Sequence, residues 1–178
     1  MHADSEALAS AALGRDELAQ LWRQLSLDPN GPERFELSEH GEIILSPSPT
    51  NRHQAIVAWV QEQLREQLGG RAFVELAVST DLAGVRKPDV SWLPQERWPE
   101  TLSDLPLATC PPVVVEVLSP TNRRAAVEHK VSAYLRSGAV EVVVIDLKGR
   151  VHHHRRDGVH ARSVMQLTLL PPEEMFGE

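Results

Sequence analysis

The run VVVEVL at residues 113–118 constrains this chain more than any other segment. Short, apolar, rich in β-branched residues and bounded by Pro112 and by Ser119-Pro120, it reads as a strand buried on both faces of a sheet. Glu116 interrupts it. An ionised carboxylate at such a position costs several kcal/mol unless a cation or hydrogen bonds compensate it. Alternation puts Val114, Glu116 and Leu118 on one face, near the strand's C-terminal end, where α/β sheets commonly build their sites. A structural ion pair is the alternative, because buried charges mark functional sites only statistically.

The segments around this run set the fold class. Residues 123–137 carry Val127, Val131, Tyr134 and Leu135 at helical spacing and stop at Gly138, and residues 140–147 form a second apolar strand. The resulting β-α-β unit places the two strands parallel, either side by side or with another strand between them. Upstream, residues 16–27 form a helix with Leu18, Leu21, Trp22 and Leu25 inward, ended by Asp28-Pro29-Asn30-Gly31-Pro32. Residues 35–37 and 42–45 form a hairpin around Ser38-Glu39-His40-Gly41. Thr50 or Asn51 caps a long helix running to Gly69 with Ile56, Trp59, Val60, Gln63, Leu64 and Leu68 inward. Residues 72–80 and 89–93 read as two strands joined through a turn at residues 81–84, and residues 94–112 read as loop. Two tight turns, Lys148-Gly149 and Asp157-Gly158, separate strands at residues 150–156 and 159–164, so the C-terminal third is a meander. The expectation is an α/β (α+β) domain with a C-terminal strand meander, spanning residues 16–178 behind a frayed segment at residues 1–15.

Composition narrows the class. A length of 178 residues fits one domain, and 42% apolar with 24% charged residues is ordinary for a soluble protein. No apolar run approaches the roughly 18 residues of a membrane span, and the acidic start carries no export signal. Cys110 is the only cysteine, which excludes an intrachain disulfide and a Cys-only metal cluster and suits a reducing cytoplasm. The net charge of −7 opposes a simple polyanion-binding surface, although an unloaded carboxylate metal site is itself acidic.

Asp89 follows Pro88, whose fixed φ makes a rigid corner, at the start of a strand. Paired with Glu116, it offers the one or two carboxylates by which a hard cation such as Mg2+ is held. Lys130 lies three residues after Val127 and four before Tyr134, at the edge of the helix face that packs on the sheet. An ammonium there stabilises charge developing on a phosphorane, or else only snorkels to solvent. Read individually, Glu36 is a solvent-facing strand residue, His53 an exposed first-turn histidine and Tyr134 a core ring with a hydrogen-bonded hydroxyl. In His152-His153-His154-Arg155-Arg156 only His152 and His154 share a face, and a solvated strand is the simpler reading. Arg123 and Arg124, beside the free N–H groups opening a helix, are phosphate-contact candidates. Ser119 has no triad partner at a recognisable spacing, and there is no phosphate-binding glycine loop.

Taken in order, Arg34-Phe-Glu-Leu37, Gly41-Glu-Ile-Ile44, Ser46-Pro-Ser-Pro49 with His53, Lys87-Pro-Asp-Val90, Val115-Glu-Val-Leu-Ser-Pro120 and Lys130 with Tyr134 resemble the Uma family of endonucleases (DUF820-like). The resemblance runs from about residue 16 to 157 and implies the restriction-endonuclease-like core of the PD-(D/E)xK superfamily, a mixed β-sheet flanked by helices. It implies that Asp89 and Glu116 bind Mg2+ or Mn2+ and that Glu36 adds a further acidic group. Lys130 stands in for the superfamily lysine, normally two residues after the glutamate, where this chain has Leu118. The expected activity is hydrolysis of phosphodiester bonds in DNA by a cytoplasmic homodimer with no membrane partner. The alternatives are a catalytically degenerate nuclease-like binding module and a metal-dependent hydrolase of a small phosphoester.

Overall fold

The computed structural model of the chain describes residues 12–176. The elements in chain order are α1 (Arg15–Leu27), β1 (Phe35–Leu37), β2 (Ile43–Leu45), α2 (Asn51–Leu68), β3 (Arg71–Val74), β4 (Val78–Thr80), β5 (Gly84–Arg86), β6 (Val90–Leu93), β7 (Val113–Val117), α3 (Arg124–Arg136), β8 (Glu141–Ile145), β9 (Val151–Arg155) and β10 (Gly158–His160). Short 3-10 helices occupy Gln95–Leu102, inside the expected loop, and Glu173–Met175. Six strands form a mixed sheet in the order β10-β9-β8-β7-β6-β3, and four form a smaller sheet in the order β2-β1-β5-β4.

The larger sheet is built around the run identified above. All five residues of β7 are buried, and its register with β8 is parallel, Val113 opposite Glu141 through Val117 opposite Ile145. The two strands of the β-α-β unit are therefore direct neighbours. Both faces are covered because the two helices pack on opposite sides. Ile56, Val57, Val60 and Leu64 of α2 meet Val113, Val115 and Val117. Val131, Tyr134 and Leu135 of α3 meet Val114, Val142 and Val144 on the other side. Period-2 alternation thus aims Glu116 at α3. In α2 the Thr50 hydroxyl caps the helix by accepting the His53 N–H at 3.2 Å. Gly69 ends it at φ 65°, its N–H donating to Arg65 O at 3.0 Å. Of the positions expected inward on α2, Gln63 is only half-buried, and Val57 takes part in the core instead.

The small sheet and α1 share a third core of Leu18, Trp22, Phe35, Leu37 and Val85, with the Trp22 and Phe35 rings stacked 4.4 Å apart. The expected fray at residues 1–15 lies outside the described residues up to residue 11. From there the chain is held, since Leu13 N–H donates to Glu39 O at 2.9 Å and Arg15 pairs with Asp81 at 2.9 Å.

Three expectations are corrected. Residues 72–80 are two strands in different sheets, β3 and β4, because Glu75 adopts φ 52° and turns the chain out of the larger sheet. The turn at residues 81–84 leads into β5, which pairs with both β1 and β4. The last expected strand ends at His160; residues 161–172 form an irregular strap whose Leu167 and Leu169 pack into the α2-side core. The solvated-strand reading of the histidine run also fails at its centre. His153 is buried, with Nδ1 3.0 Å from Glu141 Oε1, and Glu141 Oε2 accepts the Val164 N–H at 2.8 Å. The Val164 N–H bond fastens the strap to β8. Burial would raise the Glu141 carboxyl, but the hydrogen bonds it accepts from His153, Ser163 and the Val164 N–H outweigh it and hold it below its usual range.

Gly84 sits at φ 74°, and a Cβ there would stand 2.2 Å from Leu37 O. The Gly84→Ala substitution should therefore lower stability in urea by more than about 1–3 kcal/mol. Asp146, between β8 and β9, accepts the N–H groups of Lys148 and Arg150 at 2.9 and 3.0 Å and the Arg150 Nε at 2.7 Å. Burial would raise its pKa, but these bonds with His152 outweigh it and hold the carboxyl at about 2, below its ordinary value of 3.8. A depressed carboxyl stabilises the fold above the ordinary value and loses that contribution as pH falls toward 2. Asp146→Asn should cost about 1 kcal/mol in urea titrations at pH 7 and much less near pH 2.

Candidate active site

Strands β1, β5, β6 and β7 and helices α2 and α3 converge at the C-terminal end of β7. Antiparallel pairing of β6 with β7 sets Val90 opposite Val115, so one further step of the register brings Asp89 opposite Glu116. Asp89 Oδ2 accepts the Val117 N–H at 2.7 Å, which fixes the carboxylate against the strand. From α3, two residues four apart on one helical stripe reach Glu116 Oε1: the Tyr134 hydroxyl donates at 2.8 Å, and Lys130 Nζ stands 3.7 Å away. Lys130 Nζ also donates to Glu36 Oε1 at 3.3 Å. Glu36 is only 5% exposed and is held by Arg86 Nη1 at 3.0 Å and the Lys87 N–H at 2.9 Å. From the first turn of α2, His53 Nε2 lies 3.2 Å from Val117 O and 3.5 Å from Asp89 Oδ2.

These contacts explain the titration behaviour. Burial, reinforced by the negative charges of Asp89 and Glu36, pushes the Glu116 carboxyl up to about 7 although Lys130 and Tyr134 oppose it. For Lys130 burial works against the charge, yet Glu116, Glu36 and Asp89 outweigh it and the ammonium is held above its usual range. The hydrogen bond to Asp89 raises the His53 imidazole despite partial burial. Burial next to Glu116 drives the Tyr134 phenol well above its ordinary value, so it remains a hydrogen-bond donor.

Glu36, Asp89, Glu116, Lys130, His53 and Tyr134 thus come together, and the individual readings of Glu36 as solvent-facing and His53 as an exposed first-turn residue are corrected. Glu36 is buried because its three-residue strand is covered on both sides, a condition that alternation along a single strand does not reveal. Arg123 and Arg124 do not join the group. Arg124 is 91% exposed in its side chain and bonds Glu128 at 2.7 Å, and neither arginine lines the cavity at the site. Sequence reasoning missed Arg86, which anchors Glu36, because β5 was not recognised as a strand; its position just before Lys87-Pro88-Asp89 was the available signal.

The site opens into a cavity of about 970 Å³ lined by residues including Glu36, His53, Asp89, Glu116 and Lys130. Three carboxylates there face two permanent cations, Lys130 and Arg86. Among the described residues, Asp89 Oδ1 and Glu116 Oε2 take no hydrogen bond, whereas both oxygens of Glu36 are engaged. Also among the described residues, no group of three or more His, Cys, Asp or Glu side chains is placed to hold a metal ion. The donor set fits a hard, oxygen-seeking cation held by two carboxylates and completed by water and substrate oxygens, the mode usual for Mg2+.

Against known proteins, residues 19–177 match the family model Uma2, described as "Putative restriction endonuclease". No curated protein matches the sequence. Among solved structures the chain is similar to a "putative nuclease belonging to DUF820" from Anabaena variabilis ATCC 29413, with a TM-score of 0.62 and 22% identity over 92% of this chain and 90% of that one. That likeness shows a shared fold, and the family match over nearly the whole chain shows that this protein belongs to the Uma2 family.

Proposed function

We propose that this Uma2 protein is a divalent-metal-dependent endonuclease that hydrolyses phosphodiester bonds in DNA. The observation that carries the reading is the convergence of Asp89, Glu116 and Lys130, with one oxygen of each carboxylate left free beside a large cavity. Asp89 and Glu116 would hold Mg2+ or Mn2+, which when bound supplies charge neutralisation at the phosphoryl group and activation of the attacking water. Lys130 directs its ammonium at the same point and stabilises negative charge as it builds on the phosphoryl oxygens. Glu36 positions Lys130, and is itself fixed by Arg86 and the Lys87 N–H. Tyr134 pins Glu116 in one rotamer by a bond from below. His53 braces Asp89 and the Val117 carbonyl from α2.

The lysine thus reaches the site from α3 rather than from the position two residues beyond the glutamate, which Leu118 occupies. The reading further includes a homodimer, in which two sites can cut opposite strands, and a reducing cytoplasmic setting that suits the lone buried Cys110. Among the described residues no helix is long and apolar enough to cross a membrane.

Purified protein should relax and linearise plasmid in Mg2+ or Mn2+. Asp89→Asn, Glu116→Gln and Lys130→Met should each lower the rate by about a hundredfold or more. Tyr134→Phe, which removes a hydrogen bond but no charge, should cost about tenfold or less. Unchanged cleavage by the doubly substituted Asp89→Asn/Glu116→Gln protein would trace the activity to a contaminant and defeat the assignment. Turnover of a model phosphodiester without affinity for polynucleotide would move the substrate to a small phosphoester.

A further inference from the structure

A second charged cluster lines the same cavity, and its side chains make no contact in the network described above. Glu75, the residue that turns the chain between β3 and β4 at φ 52°, receives the Arg34 guanidinium on Oε1 and has Lys87 Nζ 3.5 Å from Oε2. Positive φ at a residue other than glycine is uncommon and concentrates where function demands the geometry. All three side chains face the cavity that contains Asp89 and Glu116. Arg34 precedes Glu36 by two residues, and Lys87 precedes Asp89 by two. The Cα of each cation therefore lies within roughly 7 Å of the Cα of a carboxylate of the site.

The charge balance points to an anion. Two cations share one carboxylate, so this wall carries surplus positive charge in a chain whose net charge is −7. Arg34 Nε is buried without a hydrogen-bond partner among the described residues, so Glu75 satisfies only part of the guanidinium. Bracing the β3–β4 corner does not account for the pair, because the Glu75 N–H already ties that corner to Asp89 O at 3.3 Å.

We infer that Arg34 and Lys87 form a subsite for the phosphodiester adjacent to the one that is cut, with Glu75 as the internal counter-ion that the substrate phosphate displaces. The inference rests on the endonuclease reading above. Before substrate arrives, Glu75 neutralises half of the pair and keeps both long side chains at the wall, which lowers the entropy lost on binding. When a strand enters, its phosphate takes over the two cations in a charge-assisted contact. The acidic net charge then acts as a filter, since polyanion is attracted locally rather than over the whole surface.

The test is binding of a short double-stranded oligonucleotide, followed by fluorescence anisotropy across a salt series, with Ca2+ in place of Mg2+ so that strands stay intact. Arg34→Gln and Lys87→Gln should each weaken binding about tenfold and reduce the slope of log K against log salt by about one. Glu75→Gln, which removes the competing charge and keeps the side chain's size, should tighten binding several-fold. A merely structural cluster does not predict that gain. Weaker binding by Glu75→Gln together with a lower melting temperature would mean that the cluster only braces the corner, and the subsite falls. Unchanged affinity and slope in all three variants, with DNA still bound by the wild type, overturn the subsite and leave the endonuclease reading intact. Absence of DNA binding by the wild type overturns both.

Discussion

A carboxylate on the central strand of a sheet covered on both faces is the constraint around which this protein is arranged. Glu116 stands among five consecutive buried residues, and desolvating its charge is costly enough that the neighbouring elements must answer it. Tyr134 and Lys130 of α3 do so at i and i+4 spacing, and the ammonium that faces Glu116 on the larger sheet also faces Glu36 on the smaller one. Lys130 is therefore the electrostatic link between the two sheets. Glu36 passes the requirement on to Arg86 and the Lys87 backbone, which fixes β1 relative to β5 and, through Pro88, fixes Asp89 relative to β7. Among the described residues Asp89 Oδ1 and Glu116 Oε2 remain unbonded after these contacts, and the proposed cation would bind there.

Much of this was legible because two periodicities are hard to disguise. A six-residue apolar run with one acid in it announces a buried strand and its anomaly, and the 3.6-residue period of α3 places Lys130 and Tyr134 on one stripe. The parts that were not legible depend on geometry that neighbouring residues do not encode. Residues 72–80 read as one strand because Glu75 looks like any polar position in an alternating segment, and only its positive φ divides the segment between two sheets. Glu36 looks solvent-facing because a three-residue strand is too short to show that both of its sides are covered. Arg123 and Arg124 are plausible phosphate ligands by position in a helix, yet their exposure and the partner Glu128 leave them away from the cavity.

Glu141 makes the most informative comparison. It too is an acid in an apolar strand, fully buried and directly paired in register with the start of β7. Its charge is answered completely within the fold, by His153 and the Val164 N–H, and it ties down the C-terminal strap. Glu116, by contrast, keeps one oxygen unbonded among the described residues and lies beside a cavity of about 970 Å³. A buried acid in a strand therefore signals that compensation is needed without saying of what kind. The distinction between a structural acid and a chemical one is carried by what remains unsatisfied and by access to solvent.

The claim on which the rest stands is that Asp89 and Glu116 together hold a divalent cation. A crystal soaked in Mn2+ and measured for anomalous scattering tests it most directly. The account predicts a peak bridging the free oxygens of Asp89 and Glu116, at about 2.0–2.2 Å from each, with Lys130 Nζ close by and Glu36 outside the coordination sphere. An empty site at saturating Mn2+, with Lys130 drawn fully onto Glu116 as a closed ion pair, would contradict it.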